Sequence, residues 1–167
     1  MSPGRPERAP GGPPVPVLDG LVPVPTYRDR PATPVNDLAG VDLAGAPIDI
    51  RVLDTGHWTL LVFLSSGCDG CRELWTALAD PAGSGLTTDE TVVAVTHDPA
   101  HEDLPAVRRL APPATAPAPG RVVMSSRAWS AYRVQGPPFF VLVDGAADRV
   151  VTEGVAWGVA QVAEHVR

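Results

Sequence analysis

"TLLVFLSSGCDGCRELWTALAD", residues 59–80, decides the fold. Its first part, Thr59 to Ser66, is a nearly continuous apolar run bounded by Gly56 and Gly67, the pattern of a strand buried on both faces. Its second part places Cys71, Leu74, Trp75 and Leu78 at i, i+3, i+4 and i+7, one face of a helix over 68–80. Pro81 and the Gly-Ser-Gly of 83–85 stop that helix. Both cysteines of the chain, Cys68 and Cys71, lie at the junction, with Asp69 and Gly70 between them.

A CxxC that ends a buried strand and opens an amphipathic helix says more than the bare spacing. Residues three apart on a helix have Cβ atoms about 5–6 Å apart, and a disulfide needs about 3.5–4.5 Å. A small adjustment of the first turn therefore closes a local, easily opened bridge. Cys68 stands where unpaired helical N–H groups favour a thiolate, and the neighbouring Asp69 charge opposes them. A modest lowering, to a pKa of roughly 7–8, is expected. Cys71 shares the apolar face with Leu74 and Trp75 and is shielded. Cys68 is thus the candidate attacking thiol and Cys71 the resolving thiol.

Two other readings of the pair stay open on the residues alone. One is two inert thiols at a helix start. The other is a metal site, because His97 and His101 have H-x3-H spacing and complete a Cys2His2 set. The 25 residues between Cys71 and His97 exceed the roughly 12–15 of the common zinc motif. His57 and His165 read as surface residues.

Outward from this stretch, "TVVAVTHD" (91–98) reads as a second buried strand and "HEDLPAVRRLAP" (101–112) as a helix with Pro105 in its first turn. "RVVMS" (121–125) is a third strand and "RAWSAYRV" (127–134) a short helix. "FFVLVDG" (139–145) and "RVVTEGVA" (149–156) form an antiparallel hairpin, and "GVAQVAEHVR" (158–167) closes as a helix burying Val159, Val162, Ala163 and Val166. "PIDIRVL" (47–53) alternates like an edge strand. The sum is an α/β sheet with a parallel core and an antiparallel edge. Trp58, Trp129 and Trp157 read as core or edge packing. Trp75, one turn beyond Cys71, is the best candidate for contact with a ligand.

Composition narrows the function. The chain has 167 residues, suited to one domain, a net charge of −6, and 13 arginines but no lysine. A Schiff-base lysine and a GxxxxGK[ST] phosphate loop are excluded. An acidic, lysine-free surface argues against general nucleic-acid or anionic-membrane binding. Two cysteines cannot make a multi-bridge secreted scaffold. No apolar run approaches the ~18 residues of a membrane span, and the N-terminus lacks the apolar region of a signal peptide. As written, a cytoplasmic location is expected, with anchoring or export only if the N-terminus is truncated. Ten of the 20 prolines fall within residues 1–34. Residues 1–39 are therefore expected to be an extended or disordered arm before a domain of residues 40–167.

"LLVFLSSGCDGCRELW" (60–75) and "YRVQGPPFFVLVDG" (132–145) together resemble the thioredoxin superfamily. The likeness is to bacterial thiol–disulfide oxidoreductases of the cytochrome-maturation and methylamine-utilisation disulfide protein type, and it covers about residues 40–165. It implies a thioredoxin-like α/β fold with a central mixed sheet flanked by helices, and an enzyme whose redox group is the Cys68–Cys71 disulfide, with no other cofactor. Its partners would be a disulfide-bearing protein or small thiol and a reductant. It also implies a proline in cis facing the CxxC, by position Pro138 in Gly136-Pro137-Pro138-Phe139. Substrate would contact Gly67, Asp69, Gly70, Trp75, Pro137 and Pro138, although Pro137 has no N–H to offer a bound chain.

The departures from the family pattern are specific. Val62 stands where many relatives bury an acid six residues before the first cysteine. Gly67 replaces the usual aromatic, and Asp69-Gly70 the usual Gly-Pro. Alternatives within the same fold are a peroxiredoxin-like peroxidase with an antioxidant role, a copper or zinc carrier using the dithiol and His97, and a non-catalytic scaffold docking through the arm. For the peroxidase, Ser65 stands three residues before Cys68, where a hydroxyl helps bind peroxide, but Leu61 replaces its proline.

Overall fold

A computed structural model describes residues 32–113, 115–116 and 120–167. Seven strands form one mixed sheet: β1 (Leu38–Val41), β2 (Pro47–Ile50), β3 (Trp58–Phe63), β4 (Thr91–Thr96), β5 (Arg121–Met124), β6 (Phe139–Asp144) and β7 (Arg149–Val155). Their order across the sheet is β2-β1-β5-β4-β3-β6-β7. The helices are α1 (Arg72–Ala77), α2 (Leu104–Leu110), α3 (Ser126–Ala131) and α4 (Val159–Val166).

β3 lies between β4, to which it runs parallel (Leu60 opposite Val92, Val62 opposite Ala94), and β6, to which it runs antiparallel (Leu61 opposite Val141). Its side chains alternate between two cores. Leu60, Val62 and Leu64 pack with Cys71, Leu74, Trp75 and Leu78, and with Val159, Val162 and Val166 of α4. Leu61 and Phe63 pack on the other face with Trp129, Tyr132 and Val141. A fully buried side chain of this size contributes about 1.5–3 kcal/mol, so β3 anchors both faces at once. The continuous apolar run of the sequence is the consequence.

Two expectations require correction, but the expected parallel core stands and consists of β3, β4 and β5. Antiparallel pairs flank them on both sides, because β1 and β2 add as a hairpin beyond β5. The domain boundary expected at 39/40 falls inside β1, and the folded unit begins at Ala32. Residues 33–37 are tied into it. Thr33 donates to Glu153 (2.8 Å), the Tyr132 hydroxyl donates to the Asn36 carbonyl, and Asp37 accepts from the amides of Val52 (2.7 Å) and Leu53 (2.9 Å). Residues 1–31 of the arm expected over 1–39 lie outside the described residues. Finally, the helix expected over 68–80 is a 3-10 turn, Asp69–Cys71, followed by the six-residue α1. The second helix starts at Leu104, where Asp103 caps it by accepting from the Ala106 amide (3.1 Å).

β1 carries the weak sequence "LAGV". A Cβ on Gly40 would collide with the Met124 carbonyl of β5, so the bare Cα lets the two strands approach. No helix among the described residues is long and apolar enough to cross a membrane.

Candidate active site

β3 delivers the chain to Ser65 at the end of the sheet, and the backbone then turns through Ser66 and Gly67 to Cys68. The Leu64 amide still donates to the Val95 carbonyl (3.0 Å), so the turn leaves directly from the sheet. Cys68 and Cys71 form a disulfide with their Cα atoms 5.4 Å apart. Cys71 has no exposed surface, whereas Cys68 is half-buried at the edge of the same core. Of the two sulfurs, that of Cys68 is therefore the more accessible.

Pro138 follows Pro137 through a cis peptide bond. It lies across from the CxxC. A Cβ placed on Gly70 would be 3.7 Å from the Cγ and Cδ atoms of Pro138 and 4.0 Å from the Cys68 sulfur. The proline ring and the Cys68 sulfur therefore both lie beside Gly70. Pro137 is exposed beside it. The Pro138 carbonyl is occupied, accepting from the Ala156 amide (3.0 Å). Asp69 is fully exposed and pairs with Arg72 at 3.3 Å. Gly67 is exposed and presents backbone alone. Five of the six residues expected to meet a substrate therefore surround the disulfide.

Trp75 does not join them. It is only 2% exposed, and its indole N–H donates to the Ser65 carbonyl (3.3 Å), so it buttresses the turn before Cys68 from below. The exposed indole is that of Trp157, at 80%. Expectation had this the wrong way round, because helical spacing marks which face Trp75 occupies but not how deeply α1 is buried.

Glu102 was not foreseen. From the loop before α2, its Oε1 accepts from the Ser66 amide (3.1 Å), the Ser66 hydroxyl and the Ser65 hydroxyl (3.4 Å). A single carboxylate oxygen thereby holds the two residues that precede Gly67-Cys68. No spacing rule connects an acid in one loop to serines 36 and 37 residues away in another. The Ser65 hydroxyl, the peroxide-binding candidate, also accepts from the Gly67 amide (3.3 Å) and is engaged in this turn. Val62, at the position where the resemblance would place a buried acid, is fully buried in the core that holds Cys71.

The Cys2His2 combination is not assembled. The His97 ring stacks on Trp129 (centroids 4.1 Å apart) and its Nδ1 meets the Ser126 hydroxyl (3.1 Å). Trp129 belongs to the core on the face of the sheet opposite Cys71. His101 pairs instead with Asp98 (2.9 Å). That hydrogen bond, outweighing partial burial, holds the Asp98 carboxyl below its usual range, with the Ser126 hydroxyl adding to it. Among the described residues no three His, Cys, Asp or Glu side chains are placed to hold a metal ion.

A mixed sheet with a CxxC following β3, one of its inner strands, and a cis proline opposite defines the thioredoxin-like fold. Solved structures of that fold match. A secreted Mycobacterium tuberculosis disulfide oxidoreductase homologous to E. coli DsbE aligns with a TM-score of 0.58 at 21% identity, over 77% of this chain and 93% of that one. A thioredoxin-family thiol:disulfide interchange protein from Chlorobium tepidum TLS gives 0.59 at 20% identity, over 83% and 96%. StoA from Bacillus subtilis gives 0.58 at 16% identity, over 82% and 100%. No protein-family model matches the chain, and no curated protein matches it by sequence. At these identities the likeness establishes the fold, and the chemistry rests on the residues of this chain.

Proposed function

We propose that the protein is a thiol–disulfide oxidoreductase. The observation that carries this is the Cys68–Cys71 disulfide itself, with one sulfur buried, the other at the surface, and Pro138 packed over Gly70 beside them. In the reduced protein the Cys68 thiolate attacks one sulfur of a substrate disulfide. The Cys68–substrate bond forms, the substrate S–S bond breaks, and the first substrate thiolate leaves. Cys71 then attacks Cys68, re-forms the disulfide described here and expels the second substrate thiolate. The substrate gains two electrons, and the two protons of the dithiol end on its thiols. A dithiol or small-thiol reductant regenerates the enzyme.

Reduction in a cytoplasmic setting is our reading of direction and place. A chain with two cysteines and a local bridge suits a reducing compartment. One structural neighbour is described as secreted, so the reduction potential is the deciding measurement. A value near the thioredoxin figure of about −270 mV would mark a reductase, and one near about −120 mV an oxidant. Catalysis itself is tested by reduction of insulin with dithiothreitol. The protein should accelerate precipitation of the insulin B chain, and Cys68→Ser should abolish the acceleration. An unchanged rate in that variant would reject the mechanism.

A further inference from the structure

The disulfide joins a sulfur held by the core to a sulfur held by a turn. Cys71 is closed into the core with Leu74 and Leu78, whereas Cys68 ends the turn of residues 65–68, which has left the sheet. Gly67 gives this turn no packing. A Cβ placed on it would meet nothing among the described residues closer than the Ser65 Oγ, at 4.0 Å. Hydrogen bonds therefore decide where Cys68 sits. The Cys68 amide donates to the Ser65 carbonyl (3.4 Å), the Gly67 amide to the Ser65 hydroxyl (3.3 Å), and the Ser66 amide to Glu102 Oε1 (3.1 Å).

Glu102 closes this set from outside the turn. Its Oε1 also accepts from the Ser66 hydroxyl and from the Ser65 hydroxyl (3.4 Å). The Ser65 proton is thereby turned toward the carboxylate, which leaves an oxygen lone pair for the Gly67 amide. Without Glu102 two of the three amides lose their hold, that of Ser66 directly and that of Gly67 through rotation of the Ser65 hydroxyl. Gly67 then gives the freed segment many backbone conformations. The backbone that carries Glu102 is itself fixed on both sides. Before it, the His101 amide donates to the Asp98 carbonyl (2.9 Å). After it, the Asp103 carbonyl accepts from the Val107 amide (2.9 Å) and its side chain from the Ala106 amide (3.1 Å).

We infer that Glu102 is a positioning residue that sets the stability of the Cys68–Cys71 disulfide, and that it acts as a hydrogen-bond acceptor rather than as a charge. This role rests on the exchange reading and deepens it. Closing the disulfide requires the two sulfurs to meet, and the advantage over two separate thiols grows with how narrowly each is placed. The core places Cys71, and the turn held by Glu102 places Cys68. With oxidised glutathione as partner, the Cys68–Cys71 bond forms and the glutathione S–S bond breaks. Two electrons and two protons pass from the dithiol to two glutathione thiols. The equilibrium constant of that reaction measures the placement.

The test equilibrates the full-length chain in glutathione buffers of graded composition at neutral pH, traps the thiols by alkylation, and counts dithiol and disulfide forms by intact mass. Glu102→Ala should lower the equilibrium constant for disulfide formation about 3- to 10-fold, and Glu102→Gln, which keeps an oxygen acceptor, should hold it within about 2-fold. In a chain that already carries Ser65→Ala and Ser66→Ala, Glu102→Ala should change it less than about 2-fold, because two of the three contacts are gone. A role confined to folding would destabilise the oxidised and reduced chains alike and leave the constant unmoved, which overturns the inference. So does an equal shift in Glu102→Ala and Glu102→Gln, which would make the charge responsible, and so does a full effect without the two hydroxyls. An unmoved constant in a chain that reduces insulin rejects this role and leaves the exchange reading standing. The expected fall in a chain that reduces no protein disulfide supports the placement while rejecting the exchange reading.

Discussion

The two faces of the sheet divide the work. On one, α1, α2 and α4 pack over a core that includes Cys71, and the disulfide and Pro138 lie at its rim. On the other, α3 and residues 33–37 pack over a core around Phe63, Trp129 and Tyr132, with polar groups spent on fastening the chain to itself. The first face spends its hydrogen bonds on the turn that carries Cys68. The second spends them on closing the N-terminal segment against the sheet. The difference teaches that substitutions on the first face should alter exchange at nearly constant stability, and substitutions on the second the reverse.

The largest expected effect tests the first half of that division. Cys68→Ser should lower the rate of disulfide exchange by about a thousandfold or more, because a hydroxyl is not ionised at neutral pH. Cys71→Ser should still attack but should not resolve, so a covalent Cys68–substrate adduct accumulates. Intact-protein mass spectrometry reads it directly. An adduct on the Cys68→Ser variant instead would reverse the assignment of the two sulfurs.

Next in size is Glu102. Glu102→Ala leaves the Ser66 amide and two serine hydroxyls without their acceptor. Loss of a charge-assisted contact of this kind is worth about 1.5–3 kcal/mol at most, and the turn can take water in its place. A fall of about 3- to 10-fold in exchange rate is expected. Glu102→Gln keeps an oxygen acceptor and should stay within about 2-fold. The rate of Cys68 alkylation against pH distinguishes placement of the sulfur from loss of charge, since only the latter moves the midpoint.

The contrast between these residues also explains what was legible from sequence. β3 and α1 could be read because each buries a periodic set of side chains, and the CxxC could be placed because it lies between them. The cis proline was reachable only through family resemblance, since nothing in "GPP" fixes an isomer. β1 was invisible. "LAGV" has no strand pattern, and its pairing depends on the fit of Gly40 against Met124 across the sheet. Glu102 and Trp157 were missed or misread for one reason. Their surroundings depend on residues far away in the chain: Glu102 meets Ser65 and Ser66, and the passage that carries Trp157 is held at Ala156 by Pro138 and at Val159 by Glu73. Sequence periodicity reports a face but not the neighbour that face meets.

The second face is probed by Tyr132. Its hydroxyl donates to the Asn36 carbonyl and accepts from the Asn36 amide (3.1 Å). Tyr132→Phe should cost about 1–2 kcal/mol of stability, read by urea denaturation, and leave exchange unaltered. A pH signature accompanies it. Burial pushes the Tyr132 phenol up from 10.0 to about 12, against the Asn36 hydrogen bond that lowers it. The folded state therefore resists ionisation that the unfolded state accepts. Stability should be intact below pH 10 and fall as pH rises from about 10 toward 12. The chain has no lysine and only 2 tyrosines, so few other groups titrate there. The variant should lose most of this alkaline dependence.

Asp37 is the smallest and most discriminating case, because it lies on the second face but titrates at the opposite end of the scale. Its carboxylate accepts from the Val52 amide first and the Leu53 amide second, and Arg51 adds attraction, so its pKa is held below the ordinary 3.8 despite some desolvation. A folded value below the unfolded one stabilises the protein above the unfolded pKa, and that contribution is lost as pH falls through the folded value. The side chain is exposed, so solvent screens the effect, and Asp37→Asn should cost less than about 1 kcal/mol at neutral pH. The variant should show a flatter acid limb of stability below pH 3.8, with its exchange rate at neutral pH unchanged. A drop in exchange instead would mean that the N-terminal fastening reaches the disulfide through the sheet, and the division between the two faces would fail.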